Sequence, residues 1–412
     1  MQELNISPNN FEQCLKCDIC TGVCPMVAAN PHYPGPKQAG PDGERYRLKD
    51  PKFFDLTLKY CLNCKRCEVA CPSGVKVGDI IQIARLKYGR QHNLLRDSIL
   101  AETDLVGSLA SPVAPVVNAT LGLRPVKSVL HAAFGVDRHR TFPAYSSRKF
   151  TKRFAELDQS GYKRYVTYFH GCYVQYNNPD QGLDFVKLMN ACGYGVHLLE
   201  KEKCCGVAMI SNGFGDRAQA QARVNVESIR RAVGAGECVL TTSSTCTFTM
   251  RDEYDHILGI DTSDIRPSLM LAVKWLYDKV ESGEVKLVFR KDYHKKITYH
   301  TACHMQKLGW GIYSVELLKM IPGVELAVPD QHCCGIAGTF GFKKENYPYS
   351  QKIGSALFDI LKASEPDLVA TDCETCRWQI EMSTGLEAVN PVSILSEALD
   401  LEQTTKININ NG

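Results

Sequence analysis

Two short runs near the start of the chain each hold four cysteines at one spacing, Cys-x2-Cys-x2-Cys-x3-Cys, and a proline follows each run. The cysteines are Cys14, Cys17, Cys20 and Cys24 in the first run and Cys61, Cys64, Cys67 and Cys71 in the second. Three thiolates at this spacing wrap a short loop around one face of an iron–sulfur cubane. The runs therefore predict two [4Fe-4S] clusters and electron-transfer chemistry.

The fourth cysteine of each run is expected to point away from the other three, because in two-cluster bacterial ferredoxins it ligates the other cluster. One cluster would then be held by Cys14, Cys17, Cys20 and Cys71, and the other by Cys61, Cys64, Cys67 and Cys24. The alternative is a pair of zinc sites. Zinc sites commonly use two separated Cys-x2-Cys pairs, and two complete four-cysteine runs fit that arrangement poorly.

The C-terminal part of the chain carries one cysteine pattern twice. The members are Cys172, Cys204, Cys205 and Cys246 in copy one, and Cys303, Cys333, Cys334, Cys373 and Cys376 in copy two. A vicinal pair followed by glycine comes 32 positions after the first cysteine in copy one and 30 in copy two, and the last cysteine follows 41 and 42 positions later. Matching features at matching distances indicate an internal repeat.

Thiolates that converge from several loops suit a soft metal, so copy two is predicted to bind an iron–sulfur centre. Copy one offers one thiolate fewer, because Ser243 stands where Cys373 stands in copy two. Copy one could still ligate iron with four thiolates, or its metal site could be partly degenerate. Redox-active or structural thiols without metal are the alternative for both copies. His170, His300 and His304 lie beside these cysteines and are expected to be packed, hydrogen-bonded side chains and not ligands.

Each copy also alternates strand-like and helix-like segments. The predicted strands are 165–169, 196–199 and 238–242 in copy one and 296–300, 324–328 and 368–371 in copy two. The predicted helices are 179–192 and 215–233 in copy one and 312–320 and 349–363 in copy two. This alternation predicts parallel strands with helical crossovers. It also places the cysteines just past the carboxyl ends of strands, where open α/β sheets bind their ligands.

The chain as a whole is predicted to be α+β: a helical two-cluster ferredoxin-type domain followed by two tandem α/β repeats with parallel sheets. Its 412 residues allow several domains. We expect the ferredoxin-type domain over 1–100, an apolar and then basic linker over 101–160, and the two repeats over 161–285 and 286–400. The proline- and glycine-rich stretch 30–45 predicts a loop, and the polar tail after 401 is expected to be frayed.

Composition limits the classes of function. The chain has 19 cysteines and no apolar leader segment, so a cytoplasmic setting with metal-bound thiols is expected in place of disulfides. A net charge of +3 does not favour a nucleic-acid partner. No dinucleotide-binding or phosphate-loop fingerprint is present, so the chain is not expected to oxidise an organic substrate alone.

The segment between the two halves suggests contact with a membrane surface. Residues 105–123 carry no charged side chain, although prolines interrupt them and no run is long enough to predict a transmembrane helix. Six basic residues follow within 137–153 against the single acid Asp137. An apolar segment beside basic residues predicts an interfacial anchor. The alternative is a linker packed between the ferredoxin domain and the repeats.

Several longer segments resemble a known family over nearly the whole chain. They are Tyr33–Arg45 (YPGPKQAGPDGER), Lys201–Gly206 (KEKCCG) and Cys333–Asn346 (CCGIAGTFGFKKEN). Together with the cysteine patterns, they resemble the family of iron–sulfur subunits found in heterodisulfide reductases, glycolate oxidases and lactate-utilisation systems, and above all the C subunits of anaerobic glycerol-3-phosphate dehydrogenases.

The resemblance implies a role. Two flavin-bearing partner subunits would oxidise sn-glycerol 3-phosphate, and this chain would carry the electrons to menaquinone while holding the complex at the cytoplasmic face of the inner membrane. It also implies a noncubane [4Fe-4S] cluster at a five-cysteine motif, which copy two matches and copy one matches except at Ser243. A heterodisulfide-cleaving enzyme, a glycolate or lactate oxidase subunit and a zinc-stabilised scaffold remain as alternatives.

Overall fold

The N-terminal region is helical and folds around the two cysteine runs. The computed structural model describes residues 11–50, 56–88 and 93–410. The helices of this region are Phe11–Gln13, Ile19–Gly22, Pro25–Ala29, Gln38–Asp42, Gly43–Lys49, Leu56–Tyr60, Arg66–Val69, Val77–Tyr88 and Leu94–Ala101. Met26, Ile80 and Ile81 are buried among them and pack beside cysteines of both runs. The core of this region is therefore built directly against the thiols.

The proline- and glycine-rich stretch differs from its prediction as a loop. Residues 38–49 are helical, with Pro41 inside the π-helical turn Gln38–Asp42. Arg47 explains the difference, because its buried guanidinium donates to Glu44 Oε2 at 2.8 Å and to the carbonyl of Ala39 at 3.0 Å. This ion pair, between residues three apart on one helix, and the bond back to Ala39 thus outweigh the turn preference of proline and glycine.

The segment after the ferredoxin-type region is also helical. Its helices are Thr103–Ala110, Ser111–Val113, Ala114–Leu121, Arg124–Val129 and Leu130–Phe134. Among the described residues no single helix is long and apolar enough to cross a membrane. The segments Thr103–Leu121 and Arg124–Phe134 meet at a bend of 89°. They are long and apolar enough to cross a membrane only when both are counted together.

Each repeat contains one four-stranded sheet with parallel strands. The strands of copy one are β1 Tyr165–Phe169, β2 Gly195–Leu198, β3 Val239–Thr241 and β4 Leu269–Leu271, in the order β2-β1-β3-β4. Those of copy two are β5 Lys295–Tyr299, β6 Val324–Ala327, β7 Leu368–Ala370 and β8 Ala388–Val389, in the order β6-β5-β7-β8. The registers are parallel throughout, for example Tyr165 beside Gly195 and Ile297 beside Leu368. The predicted architecture is confirmed.

Helices connect the strands. In copy one they are Phe150–Phe154, Gly171–Tyr176, Pro179–Ala191, Val207–Ser211, Gly215–Gly234, Ser244–Phe248, Thr249–Glu253, Tyr254–His256, Arg266–Ser268 and Ala272–Glu281. In copy two they are Cys303–Leu308, Gly311–Lys319, Phe340–Phe342, Tyr347–Ala363, Glu374–Thr384, Pro391–Ala398 and Leu401–Asn410. The six predicted strands and four predicted helices lie at these positions within about two residues.

Three elements differ from the sequence-based expectation. The strands β4 and β8 were not predicted, because they are three and two residues long and run almost directly into the following helices. The tail was expected to fray but forms the helix Leu401–Asn410. There Thr404 and Asn408 are buried, and Asn408 donates to the carbonyls of Ala191 and Lys286 at 3.2 and 2.9 Å. The end of copy two is thus fastened to copy one.

Candidate metal centres

The second cysteine run lines a cavity. Its thiols are those of Cys61, Cys64, Cys67 and, from the first run, Cys24. Asn63 and Lys65 have positive φ angles of 56° and 60°, which bend the loop on both sides of Cys64. Cys24 caps the helix Pro25–Ala29 from the other side. Tyr33 and Ile81 close the cavity with apolar surface.

The first cysteine run lines a matching cavity. Its thiols are those of Cys14, Cys17, Cys20 and, from the second run, Cys71. Lys16 and Asp18 repeat the positive φ angles, at 58° and 65°. Cys71 is followed by a turn and not by a helix, and its Sγ accepts a hydrogen bond from the Val75 N–H at 3.3 Å. Each cavity is therefore lined by three thiols of one run and the fourth thiol of the other.

Electrostatics favours a cationic occupant in the second-run cavity. Burial, with the nearby Cys64, raises the pKa of Cys24 to about 12. Burial also raises the pKa of Cys61 and Cys67. Thiols in this setting ionise together only when a positive metal compensates their charge, and metal binding then displaces their protons. Four soft donors around one closed cavity fit an iron–sulfur cubane.

The five cysteines of copy two also come together, and all but Cys303 are buried. Sγ of Cys334 lies 3.2 Å from Sγ of Cys376. Cys303 is hydrogen-bonded to Cys333, and Cys373 to Cys376. The thiols therefore form one connected group at the carboxyl ends of β5 and β7, as the strand pattern predicted.

Copy one brings its four cysteines together in the same way. Hydrogen bonds link Cys172 to Cys204, and Cys205 to both Cys204 and Cys246. Asp104, from the helix Thr103–Ala110, accepts a hydrogen bond from the backbone N–H of Cys204 at 2.7 Å. The copy-one site thus lies directly against the start of the apolar helices.

Ser243 occupies the same backbone position as Cys373, since each residue caps the helix that follows a central strand. Its hydroxyl donates to Glu374 Oε2 at 2.8 Å and accepts from the Cys246 N–H at 3.3 Å. The side chain is therefore engaged with copy two and with the helix cap. Copy one offers four thiols and this hydroxyl where copy two offers five thiols.

The candidate sites touch one another. Cys64 of the second run is hydrogen-bonded to Cys303 of copy two, and the Arg66 guanidinium lies beside both thiols. The Thr245 hydroxyl of copy one lies 3.5 Å from Sγ of Cys373 in copy two. A continuous line of sulfur-lined sites therefore runs from the ferredoxin-type region through copy two to copy one.

Comparison with known proteins assigns the chain to a family. The family described as "4Fe-4S dicluster domain" matches residues 10–75, and the family described as "Cysteine-rich domain" matches residues 166–251 and 297–381. The C subunit of the anaerobic glycerol-3-phosphate dehydrogenase of Escherichia coli (strain K12) is 54% identical over 96% of this chain and 100% of its own length. This chain belongs to the family of anaerobic glycerol-3-phosphate dehydrogenase C subunits.

More distant relatives are named as subunits of other systems. The glycolate oxidase iron-sulfur subunit of E. coli (strain K12) is 26% identical over 94% of both chains. The D subunit of the dihydromethanophenazine:CoB–CoM heterodisulfide reductase of Methanosarcina barkeri is 26% identical over 95% of this chain and 93% of its own. The resemblance on which the sequence prediction relied is therefore confirmed for the C-subunit family, whose two domain types support [4Fe-4S] clusters.

A buried ionic network joins the three parts of this chain, and the sequence did not predict it. Lys65, with a fully buried side chain, forms ion pairs with Asp79, with Glu68 at 3.8 Å and with Glu253 of copy one at 3.4 Å. Lys307 of copy two pairs with Glu68 at 2.8 Å. Although burial opposes the charge of Lys65, these carboxylates hold its pKa well above the usual value. In the sequence, Lys65 stands out only because it lies between Cys64 and Cys67.

Proposed function

We propose that this chain is the electron-transfer subunit of a membrane-associated anaerobic sn-glycerol-3-phosphate dehydrogenase. Flavin-bearing partner subunits oxidise sn-glycerol 3-phosphate to dihydroxyacetone phosphate, which releases two electrons and two protons. This chain carries the electrons to menaquinone, which takes up two electrons and two protons to form menaquinol. The E. coli relative is a C subunit by name, and its 54% identity over 96% of the chain supports the same place in a multi-subunit dehydrogenase.

The continuous line of sulfur-lined sites is the observation that carries the proposal. The two ferredoxin-type cavities exchange one cysteine each, Cys64 contacts Cys303, and Thr245 contacts Cys373. Bound [4Fe-4S] clusters would supply reversible one-electron storage at these sites. The thiols would hold that storage, and the short contacts between sites support an order of electron passage from the ferredoxin-type region to copy two and then to copy one.

The apolar helices supply a place where a lipid-soluble quinone can be met. Six of their side chains are between 51% and 67% exposed, namely Leu105, Leu109, Val113, Val116, Leu123 and Val129. Apolar side chains exposed in a cluster mark an interaction surface. Because Asp104 joins the same helices to Cys204, the last site of the line lies beside this surface. The exposed side chains favour the interfacial anchor over the packed linker.

The basic residues after the apolar helices contribute less than the sequence suggested. Arg140 is fully buried, stacks over the ring of Phe342 and donates to Gln379, so it cannot face a membrane. Arg148 pairs with Glu156, and Arg153 pairs with an acid on the helix Pro179–Ala191. Insertion of apolar side chains therefore accounts for membrane contact better than charge alone.

The test is reconstitution of the chain with its flavin-bearing partner subunits and a menaquinone analogue under anaerobic conditions. Adding sn-glycerol 3-phosphate should bleach the iron–sulfur absorbance of the complex and then form quinol. In a complex with Cys333→Ser and Cys334→Ser, flavin reduction should persist while quinol formation falls at least tenfold. Reduced flavin beside clusters that stay oxidised in the wild-type complex would contradict the proposal.

The same preparation separates the other candidate functions. Glycolate and lactate should leave the clusters oxidised, whereas a glycolate or lactate oxidase subunit would be reduced by its own substrate. A thiol–disulfide enzyme of the heterodisulfide type should reoxidise its reduced clusters on addition of a disulfide substrate without quinone. Zinc in place of iron after anaerobic purification would identify the scaffold alternative.

A further inference from the structure

His300 differs from the other two histidines beside the candidate centres. Nδ1 of His170 lies 3.0 Å from the carbonyl oxygen of Gly171, and Nε2 of His304 lies 2.9 Å from that of Asn63. Both rings are thus hydrogen-bonded, as the sequence predicted. His300, in contrast, is packed as predicted, but its buried Nε2 has no hydrogen-bond partner among the described residues.

Two thiols of copy two lie beside this imidazole. A ring nitrogen of His300 and the Sγ atoms of Cys334 and Cys376 all lie within 4.8 Å of one another. The side chain is 3% exposed, so solvent does not satisfy it. A buried donor without a partner costs about 1–3 kcal/mol. A buried ring nitrogen without a partner, close to two of the copy-two thiols, indicates that its partner belongs to whatever those thiols hold.

The ring is suited to donate and not to ligate. An imidazole carries at least one ring N–H whether it is neutral or protonated, so His300 can donate a hydrogen bond to a nearby sulfur. The five cysteines would already supply the protein ligands of the motif, and Cys334, Cys373 and Cys376 lie in the apolar core of the repeats. A hydrogen bond from N–H to sulfur is one of the means by which proteins raise the reduction potential of iron–sulfur centres.

We propose that His300 is a sixth protein group of the copy-two centre, whose Nε2–H donates a hydrogen bond to a sulfur of the bound cluster and makes that cluster easier to reduce. His300 is a positioning residue, since it tunes the centre without supplying an iron ligand. The inference rests on the proposed function only in requiring that copy two holds a cluster. It concerns a residue that cysteine spacing alone does not reveal.

The test is a redox titration of the anaerobically purified full chain, followed by electron paramagnetic resonance, with iron counted in every sample. The copy-two signal is identified as the one lost in the Cys333→Ser/Cys334→Ser variant. His300→Leu should keep its iron but lower the reduced-to-oxidised ratio of that signal about tenfold at fixed potential, a shift of about 59 mV for one electron. His300→Gln, which keeps an N–H donor, should recover part of the shift. His170→Leu, the matched control in copy one, should leave the signal in place.

Three results would overturn the inference. An unchanged midpoint in His300→Leu with full iron would show that the imidazole does not act on the cluster. Loss of the copy-two iron from both His300→Leu and His300→Gln, with His170→Leu intact, would make His300 a ligand or a structural residue. If the wild-type chain gave no copy-two signal, the third cluster itself would be absent. The iron count distinguishes this result from the other two.

Discussion

Cys71 lies four residues beyond Cys67 but faces a different cavity, and this difference can be tested with one substitution. Because its thiol lines the cavity of Cys14, Cys17 and Cys20, we predict that Cys71→Ser perturbs the cluster of the first run. Cys67→Ser should instead perturb the cluster of its own run. Electron paramagnetic resonance of the two variants separates these outcomes. If Cys71→Ser disturbed only the second-run cluster, the crossed grouping would be wrong.

Lys65 carries a prediction about stability. Its ammonium is the cation that Asp79, Glu68 and Glu253 share in a water-free position, so Lys65→Met leaves these carboxylates with less compensation. Removing one partner from a buried ionic group costs about 3–5 kcal/mol. We expect a large fall in the urea midpoint of the holoprotein.

The matched control for Lys65 is an exposed ion pair on the last helix. Lys406 pairs with Glu402 at 2.5 Å, and both side chains are mostly exposed. Lys406→Met should therefore change the free energy of unfolding by no more than about 0.5 kcal/mol. Equal midpoints for the two variants would show that the buried network does not hold the three parts of the chain together.

At the scale of elements, the glycine after each vicinal cysteine pair permits a left-handed turn, but the two turns differ in their surroundings. Gly206 and Gly335 both have φ of +82°. A Cβ at Gly335 would lie 2.0 Å from the carbonyl oxygen of Ser350, whereas at Gly206 the nearest atom, in Ala218, is 3.6 Å away. The close approach at Gly335 is thus made by the helix Tyr347–Ala363.

This asymmetry predicts unequal effects of one substitution. Gly206→Ala should cost about 1–2 kcal/mol, the strain of a left-handed alanine. Gly335→Ala adds a backbone clash, so it should cost more and should also lower the iron bound by copy two. Urea unfolding with iron analysis measures both effects. Similar losses in the two variants would contradict the difference in packing.

The apolar helices carry a prediction about membrane binding. Leu109 and Val116 are 67% and 65% exposed, and a buried aliphatic side chain contributes about 1.5–3 kcal/mol. Leu109→Ser with Val116→Ser should therefore lower flotation with anionic liposomes at least tenfold. Ile312→Ser with Val328→Ser, two exposed apolar residues of copy two, provides the matched control.

Salt and charge reversal complete the membrane test. Changing Arg148, Lys149, Lys152 and Arg153 to Glu should weaken binding at low salt only, because two of these side chains already have acidic partners. If the Leu109/Val116 variant floated like wild type, the apolar helices would not be the anchor. Equal binding by all variants, insensitive to salt, would also exclude the basic residues.

At the scale of the whole molecule, sequence spacing predicted most of what depends on local order. The spacing of the cysteine runs predicted the two ferredoxin-type sites, and the strand alternation of the repeat predicted the two sheets. Both are local patterns. The burial of Arg140, the shared cation Lys65 and the unpartnered nitrogen of His300 were not predictable in this way. Each depends on which distant elements meet, and a single sequence does not contain that information.

The arrangement of the parts also explains why one chain holds all of them. The ionic network around Lys65 fixes the second-run cavity against both copies, and the last helix binds copy two to copy one. Sites held at contact distance keep electron steps short. A chain organised in this way is expected to lose electron transfer, and not substrate oxidation by its partners, when a central site is removed.

Iron analysis of anaerobically purified full-length protein tests the central claim, that sulfur-lined sites beyond the ferredoxin-type pair hold clusters. Two cubanes account for about eight irons, so we predict more than about eight irons per chain. We also predict that Cys333→Ser with Cys334→Ser lowers the count towards that of the remaining sites. About eight irons in the wild-type chain, as two cubanes alone would give, unchanged by the double substitution, would contradict this claim.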